Sequence, residues 1–368
     1  MKLSKQNKTQ RRFSCVSLFS GCGGLDLGLR DAGFDIKVAV DSDKDCLRTH
    51  KFNFPETRVI ERDILTWTKE EMLSDLRPEG RDIDLLAAGP PCPPFSKSRF
   101  WRTDLPRGFA DPKGLDSFGA FIRALEATNP RTFILENVRG LTYRGHRDAL
   151  QYVLDEAKRL GFQTSWRILN AVEYGAPQLR ERCFIIGWQE GDFEFPAPTH
   201  RRPNAQEEGN NLLPFVTAGD VLRDIDTEAL ADPWGHTAGG RFKHLLEEIP
   251  PGENYLYLTA ERGHPNPQFK YRSRYWTYLL KLSPDLPSWT IQAKRTNNMG
   301  PLHWRNRVLR IPEIKRLQTF PDEFELFGDV NKKWRQIGNA VPPALARAVG
   351  SAVSCTLAAS AKCLTKAA

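Results

Sequence analysis

From residue 13 to about residue 190, the chain alternates short β-branched or aromatic runs with stretches whose apolar residues recur every three or four positions. The short runs are typical of buried strands, and the longer stretches of helices packed on a sheet. Parallel strands need a crossover between them, usually a helix, so this alternation allows few arrangements. The sequence predicts an α/β fold with a mostly parallel sheet and helices on both faces.

The predicted elements can be given with their bounds. The strands are Phe13–Phe19, Ile36–Val40, Arg58–Ile60, Ile83–Ala87, Thr132–Leu135, Gln163–Leu169 and Cys183–Trp188. The helices are Leu25–Ala32, Lys44–Phe52, Phe118–Thr128, Arg147–Leu160 and, near the C-terminus, Ala340–Leu357.

The chain divides into four regions by composition and periodicity. Residues 1–12 form a basic arm that we expect to be flexible, and residues 13–199 carry the alternating pattern. Residues 200–310 begin with a polar stretch and continue with weak periodicity, rich in Pro, Gly and Trp, which indicates a second, irregular domain. Regular patterning returns in residues 311–368, and we expect this segment to pack back on the first domain.

Composition restricts the class of protein. Hydrophobic residues make up 40% and charged residues 27%, and no apolar run approaches the roughly 18 residues of a membrane span. The seven cysteines are scattered and form no C-x-x-C pair, so we expect reduced thiols, a cytoplasmic location and no metal site. The net charge of +8 favours a polyanionic partner such as nucleic acid, although it does not require one.

A glycine-rich turn follows the first predicted strand. Phe19 to Gly24 reads Phe-Ser-Gly-Cys-Gly-Gly and precedes a predicted helix, so its glycines can adopt positive φ angles and let a ligand approach the backbone. The G-x-G-x-x-G spacing of dinucleotide sites is not met. From this segment alone, a plain tight turn, a dinucleotide site and another adenosyl site all stay open.

Two aspartates stand at successive strand ends. Asp41 ends the second strand, where a carboxylate can accept hydrogen bonds from ribose hydroxyls, and Asp63 follows the third strand. Each could instead cap a helix. Together they favour an adenosine-containing ligand.

Cys92 and Glu136 are predicted to face one crevice. The fourth strand runs into Gly89-Pro90-Pro91-Cys92-Pro93-Pro94-Phe95-Ser96, and the fifth delivers Glu136-Asn137-Val138 at its end. Carboxyl ends of neighbouring parallel strands meet at one edge of a sheet. A thiol and a carboxyl group are therefore expected side by side.

These segments resemble, in chain order, the motifs of the DNA cytosine-5 methyltransferases. The resemblance rests on Ser17 to Gly24, Gly89 to Ser96, Glu136 to Val138, Gln178 to Arg182, Arg316 to Asp322 and Gln336 to Pro343. It implies a Rossmann-like fold that binds S-adenosyl-L-methionine and a bacterial or phage enzyme of the restriction-modification type. The dinucleotide alternative is thereby eliminated.

The resemblance implies a role for each matching residue. Cys92 would attack C6 of a flipped-out cytosine, Glu136 would contact N3 and N4, and Arg180 and Arg182 would steady the base. This chemistry is reasonable for the residue types, because C5 becomes nucleophilic only after a thiolate adds at C6. The cofactor would be held by Phe19, Gly21, Gly23, Gly24, Leu25, Asp41, Asp63, Ile64, Pro91, Asn339 and Val341.

Two positions depart from the family pattern. Pro93 replaces the glutamine that most members carry after the cysteine, which removes a backbone donor from the loop. Ser42 stands where some relatives place a large residue against the adenine. Contacts near the base and stacking on the adenine are therefore expected to differ from those relatives.

The resemblance makes residues 200–310 the target-recognition domain for double-stranded DNA. Basic and aromatic side chains are interleaved there, as phosphate and base-edge contacts require. The expected DNA-contacting residues are Ser96, Arg272, Arg274, Lys294, Arg295, Arg305 and Arg307. Because C5 and C6 are stacked inside a duplex, the mechanism also implies base flipping.

Two other functions are compatible with parts of the sequence pattern. A tRNA cytosine-5 methyltransferase would keep the chemistry, but its Cys-Phe-Thr signature does not occur here. A catalytically inactive DNA-binding regulator is disfavoured because every catalytic position is present. The resemblance allows a cognate restriction endonuclease acting on the same site, and we expect a monomer.

Overall fold

A computed structural model of the chain describes residues 12–77, 82–91, 112–202, 211–227, 238–270 and 276–367. Its strands are β1 (Phe13–Leu18), β2 (Phe34–Asp41), β3 (Arg58–Glu61), β4 (Leu85–Ala88), β5 (Thr132–Val138), β6 (Gln163–Asn170), β7 (Gln178–Leu179), β8 (Glu181–Trp188), β9 (His200–Arg201), β10 (Leu213–Pro214) and β11 (Ser288–Trp289). Its helices are α1 (Gly24–Asp31), α2 (Lys44–Asn53), α3 (Lys69–Leu76), α4 (Pro112–Thr128), α5 (Arg147–Arg159), α6 (Ala218–Leu222), α7 (Ile311–Leu317), α8 (Val330–Asn339) and α9 (Pro343–Ala367).

Seven strands form the central sheet, in the order β3-β2-β1-β4-β5-β8-β6. Strand β1 pairs in parallel with β2 and β4, and β4 pairs in parallel with β5. The chain first builds outward from β1 to β3 and then adds β4 on the other side of β1. Ligands of open α/β sheets bind at the carboxyl ends of the strands at such a reversal. The loops after β1 and β4 are therefore the expected ligand-binding region of this fold.

Both faces of the sheet are buried, and alternate residues of one strand belong to different layers. In β4, Leu86 and Ala88 pack with α3, α4 and α5, whereas Leu85 and Ala87 pack with α1 and α9. This period of two is what a strand covered on both sides requires. The Rossmann-like α/β prediction is confirmed.

A second hydrophobic cluster lies beside the sheet. It takes in buried residues between Ala218 and Ile337, including Leu317 of α7 and Trp334 of α8. Cys22 and Phe54 of the first region also belong to it. Helices α7 and α8 thus bury their apolar side chains mainly with the irregular region, whereas α9 packs on the sheet.

The predicted strands of the sheet are all present, with bounds shifted by a few residues. Strand β5 continues through Val138 rather than ending at Leu135, because the antiparallel β8 pairs with it as far as Arg182. The last helix begins at Pro343 rather than Ala340, since proline favours the first position of a helix. Helix α3 was missed, although Thr68 and Glu71 form a capping box. None of the described helices is long and apolar enough to cross a membrane.

The packing of α1 on α9 depends on a glycine. A Cβ added at Gly28 would lie 2.4 Å from the Ala346 Cβ and 2.5 Å from the Pro343 carbonyl oxygen. Gly28→Ala should therefore lower the free energy of unfolding by roughly 1–3 kcal/mol, measured by urea denaturation. Gly119→Ala in α4 is the control, because its Cβ would meet only the Arg123 Nη1 at 3.7 Å. A Gly28→Ala protein as stable as that control would contradict the close packing.

Candidate active site

The turn after β1 has an unusual backbone. Phe19, Gly21 and Gly23 have φ angles of 53°, 54° and 93°, in the left-handed region. No described atom lies within 4 Å of where a Gly21 Cβ would stand, whereas a Cβ on Gly24 would lie 2.6 Å from the Val341 carbonyl oxygen. Space is therefore free beside Gly21, whereas Gly24 is in close contact with the loop between α8 and α9.

Asp41 ties this turn to the end of β2. Its Oδ2 accepts a hydrogen bond from the Gly21 N–H at 2.8 Å, and its Oδ1 accepts one from the Asp43 N–H at 2.9 Å. Burial raises the pKa of the carboxyl group, and these two backbone donors oppose the rise. A carboxylate has about four acceptor sites, so Asp41 retains acceptor capacity for ribose hydroxyls, the role that the resemblance implied.

The other predicted cofactor residues are placed around this edge in different ways. Leu25, Ile64 and Val341 are buried in the hydrophobic clusters, so only their backbone could face a ligand. Asp63 is exposed, and its Oδ1 accepts from the Leu65 N–H at 3.0 Å as a helix cap. Pro91 and Asn339 are exposed at the ends of β4 and α8.

Glu136 lies within β5 and is buried, with 4% of its surface exposed. A Cβ added at Gly89, the residue after β4, would be 3.5 Å from Glu136 Oε2 and 4.0 Å from the Phe19 carbonyl oxygen. The carboxyl group and the glycine-rich turn therefore meet across Gly89. The structure thus places the Glu136 carboxyl group and the glycine-rich turn at one edge of the sheet, whereas Cys92, which the sequence predicted to face Glu136, lies outside the described residues.

Arg182 is the charged neighbour of Glu136. Its Nε lies 2.8 Å from Glu136 Oε1, so the two side chains form a buried ion pair. Burial raises the pKa of the Glu136 carboxyl, while the charges of Arg182 and Arg180 oppose that rise. A buried carboxyl group under these opposing influences is suited to a ligand that offers hydrogen-bonding atoms.

Arg180 points into the protein. Its side chain is fully buried and donates to the carbonyl oxygens of Ile291, Gly338 and Ala340 at 2.9, 2.7 and 2.9 Å. These bonds tie the strand that carries Arg182 to the loop after α8. What the structure shows for Arg180 is this internal link, and its predicted contact with a base remains a prediction.

Gln178 and Gln318 extend the same network. The Gln178 amide nitrogen donates to the Leu317 carbonyl oxygen and to Gln318 Oε1, each at 3.1 Å, and its oxygen accepts from the Ile291 N–H. Gln318 in turn donates to the Ile337 carbonyl oxygen at 2.7 Å. Gln178 therefore joins β7 to the end of α7 and to the segment after β11.

Asn137 is a residue to which the sequence analysis gave no role. Its Nδ2 donates to the Pro90 carbonyl oxygen at 3.3 Å, just before the segment that contains Cys92. The sequence signal that could have indicated a role for Asn137 is its side-chain amide directly after Glu136, at the edge where two strands end. Asn137 holds the start of the proline-rich loop against β5.

The predicted DNA-contacting residues fall into three groups. Ser96, Arg272 and Arg274 lie outside the described residues, as do the predicted nucleophile Cys92 and its neighbour Pro93. Lys294 is exposed, and the Arg295 guanidinium lies 5.9 Å from the Trp334 ring centroid.

Arg305 and Arg307 form the third group. Both pair with the buried Asp226, at 2.7 and 3.2 Å, and Arg307 also donates to Glu313. Burial lowers the pKa of the adjacent His303 to about 3, so its ring is neutral. The Arg307 side chain is mostly buried, whereas that of Arg305 is 59% exposed, and DNA contact by either arginine remains a prediction.

Comparison with known proteins gives a consistent family. The model of the C-5 cytosine-specific DNA methylase family matches residues 13–355. The type II methyltransferase M.SacI of Streptomyces achromogenes is 38% identical over 91% of this chain and 90% of its own length. The type II methyltransferase M1.HphI of Haemophilus parahaemolyticus is 30% identical over 92% of this chain and 86% of its own length.

Solved structures share the fold. A DNA modification methyltransferase encoded within an E. coli prophage superposes with a TM-score of 0.64 at 22% identity, covering 94% of this chain and 99% of that one. The Dnmt2 methyltransferase of S. pombe superposes with a TM-score of 0.60 at 18% identity, covering 95% and 99%.

The Arg180 network should be essential for stability. Arg180→Met would leave three buried carbonyl oxygens without these donors, so we expect a loss of about 3 kcal/mol or more in the free energy of unfolding. Urea denaturation followed by circular dichroism measures it. Arg167→Met on β6 is the matched control, because Arg167 is exposed, and it should change stability by about 0.5 kcal/mol or less. Equal effects from the two variants would refute the link.

Proposed function

The chain belongs to the C-5 cytosine-specific DNA methylase family and is a DNA cytosine-5 methyltransferase of the type II restriction-modification class; on that premise, we propose that it methylates C5 of a flipped-out cytosine through a covalent bond between Cys92 and C6. The observation that carries the proposal is the buried Glu136, which pairs with Arg182 and faces the glycine-rich turn across Gly89. A cytosine presents N3 and the N4 amino group, which match an acid form of this carboxyl.

The proposed steps use the residues of the crevice. The Cys92 thiolate adds to C6, Glu136 gives its proton to N3, and the displaced electron density accumulates on C5. Arg182, 2.8 Å from Glu136, stabilises the carboxylate that remains. After methylation, the proton on N3 returns to the Glu136 carboxylate, and loss of the C5 proton to water with departure of the Cys92 thiolate restores the aromatic ring. S-adenosyl-L-methionine, when bound, supplies the methyl group to C5.

The residues around the glycine-rich turn fit that cofactor. Gly21 presents open backbone, Asp41 has acceptor capacity beyond its two backbone bonds, and Asp63 is exposed at the end of the neighbouring strand. We propose that Asp41 holds the ribose hydroxyls and Asp63 the adenine amino group. Phe19 and the backbone of Gly21 to Leu25 would line the site, with Ile64, Pro91, Asn339 and Val341 closing it.

The location of the crevice also supports the proposed DNA substrate geometry. Glu136 is inside the protein rather than on its surface, so a stacked base could not reach it, and base flipping follows. Residues 200–310 would then read the sequence around the target base. We further propose that the chain acts as a monomer beside an endonuclease that recognises the same site.

The covalent step has a direct test. Bisulfite sequencing of DNA from cells that express the chain first identifies the modified site, and a duplex with 5-fluorocytosine at that position is then incubated with enzyme and cofactor. The native chain should form an adduct that survives denaturant, because fluorine at C5 blocks release of the thiolate.

Two cysteine variants sharpen this test. Cys92→Ala should form no adduct, while Cys355→Ala, which removes an exposed thiol from α9, should form it normally. An adduct that persists in Cys92→Ala would overturn the nucleophile. Methyl transfer to bulk tRNA but not to plasmid DNA would overturn the DNA substrate.

Glu136 is tested separately from Cys92. Glu136→Gln removes the acidic proton but keeps the size of the side chain, so kcat for methyl transfer should fall by roughly 10²–10⁴. Cofactor affinity, measured by calorimetry, should stay close to native. Glu181→Gln is the matched control, because Glu181 lies on β8 beside Arg182 but is only half-buried and pairs with Arg139. A Glu136→Gln enzyme as fast as this control would exclude Glu136 as the proton donor.

A further inference from the structure

Three buried polar side chains form a chain beneath the glycine-rich turn. Ser17 of β1, Asp26 of α1 and His50 of α2 are 1%, 0% and 0% exposed. The Ser17 hydroxyl donates to Asp26 Oδ1 at 2.6 Å, and His50 Nε2 lies 2.8 Å from Asp26 Oδ2. None of the three takes part in the proposed chemistry, so their cost of burial needs another explanation.

Asp26 fixes the orientation of the His50 ring. A fully buried carboxylate is costly unless it is hydrogen-bonded, and here both of its oxygens have a partner. The Nδ1 atom of His50 has no hydrogen-bond partner among the described residues, so the contact through Nε2 is the polar contact that sets the rotation of the ring. Asp26 also lies in the first turn of α1, where the helix dipole favours a negative charge.

The oriented ring supports the turn directly. His50 stacks on Phe54, with centroids 4.4 Å apart and planes at 24°. A Cβ added at Gly23 would lie 3.0 Å from His50 Cδ2 and 2.6 Å from Phe54 Cε2. The backbone of Gly23 therefore rests on this pair of rings, while Asp41 holds Gly21 through its N–H.

We infer that Ser17, Asp26 and His50 are positioning residues for the cofactor. By fixing the His50 ring under Gly23, the buried chain holds the Gly21–Gly23 backbone in the left-handed conformation that receives the ligand. It sets the affinity for S-adenosyl-L-methionine rather than the rate of the chemical step. This inference rests on the proposed function, because it takes the turn as the cofactor site.

The test separates the hydrogen bond from the ring. His50→Phe keeps an aromatic ring on Phe54 but loses the donor to Asp26, and His50→Gln keeps a donor at the distance of Nε2. Calorimetric titration of the purified full chain with S-adenosyl-L-methionine should give a Kd raised about tenfold in His50→Phe and largely restored in His50→Gln. The KM for the cofactor should follow the Kd, while kcat at saturating cofactor stays within about twofold.

Two further variants guard against a purely structural effect. Ser17→Ala removes one of the two partners of Asp26 with little change of shape, and should raise the Kd by about threefold even if His50→Phe folds poorly. Thr128→Val removes a fully buried hydroxyl that donates to the Ala124 carbonyl oxygen in α4. It should lower thermal stability without changing the Kd.

The outcomes are distinguishable. Native affinity in a folded Ser17→Ala or His50→Phe protein, with a fall in stability like that of Thr128→Val, would overturn the inference and leave the cofactor assignment intact. Failure of the native chain itself to bind S-adenosyl-L-methionine would overturn both. A raised Kd that His50→Gln does not restore would also count against the hydrogen bond to Asp26.

Discussion

The guanidinium of Arg180 joins parts of the chain that are far apart in sequence. It is fully buried and binds three carbonyl oxygens, one from the segment after β11 and two from the end of α8 and the loop that follows it. Buried carbonyl groups need donors, and a buried cation needs acceptors, so each satisfies the other. Because Arg182 is two residues further on, this link also fixes the strand that faces Glu136.

The loop after α8 connects the hydrogen bonds of Arg180 to the glycine-rich turn. Ala340 and Val341 press on Gly24, whose Cβ would lie 2.8 Å from the Ala340 Cβ. The proposed catalytic carboxyl and the glycine-rich turn are thus held by one connected set of contacts. Asn137 and the Asp26–His50 pair hold the two loops from other sides. Preorganisation of this kind lets binding act on a site that is already shaped.

The sequence predicts much of this from local signals. The strands of the sheet follow from period and length, and the glycines at 21 and 23 indicate the left-handed turn. The chain order of the motifs placed Glu136 beside the turn. The sequence did not predict where individual side chains point. By their spacing, Arg180 and Arg182 should share one face of a strand. In the structure Arg180 binds internal carbonyl oxygens, whereas Arg182 faces the Glu136 carboxylate.

The features that the sequence did not reveal depend on contacts between distant segments. Strand β5 continues through Glu136 only because β8 runs antiparallel beside it, which no local pattern of β5 reveals. Asp226, distant along the chain, pairs with both Arg305 and Arg307, which no local pattern around the two arginines reveals. In the same way, α7 and α8 have apolar faces whose partners lie in the irregular region rather than on the sheet.

The sequence by itself determined the fold class, the family and the chemical groups available, because these depend on residue types and on periodicities within short segments. The tertiary structure alone decided which polar groups remain available and which are consumed inside the protein. Glu136 pairs with Arg182 and faces the glycine-rich turn across Gly89, whereas the terminal nitrogens of Arg180 donate to three internal carbonyl oxygens. That distinction depends on contacts between distant segments, and each buried group is satisfied only where the fold brings its partner.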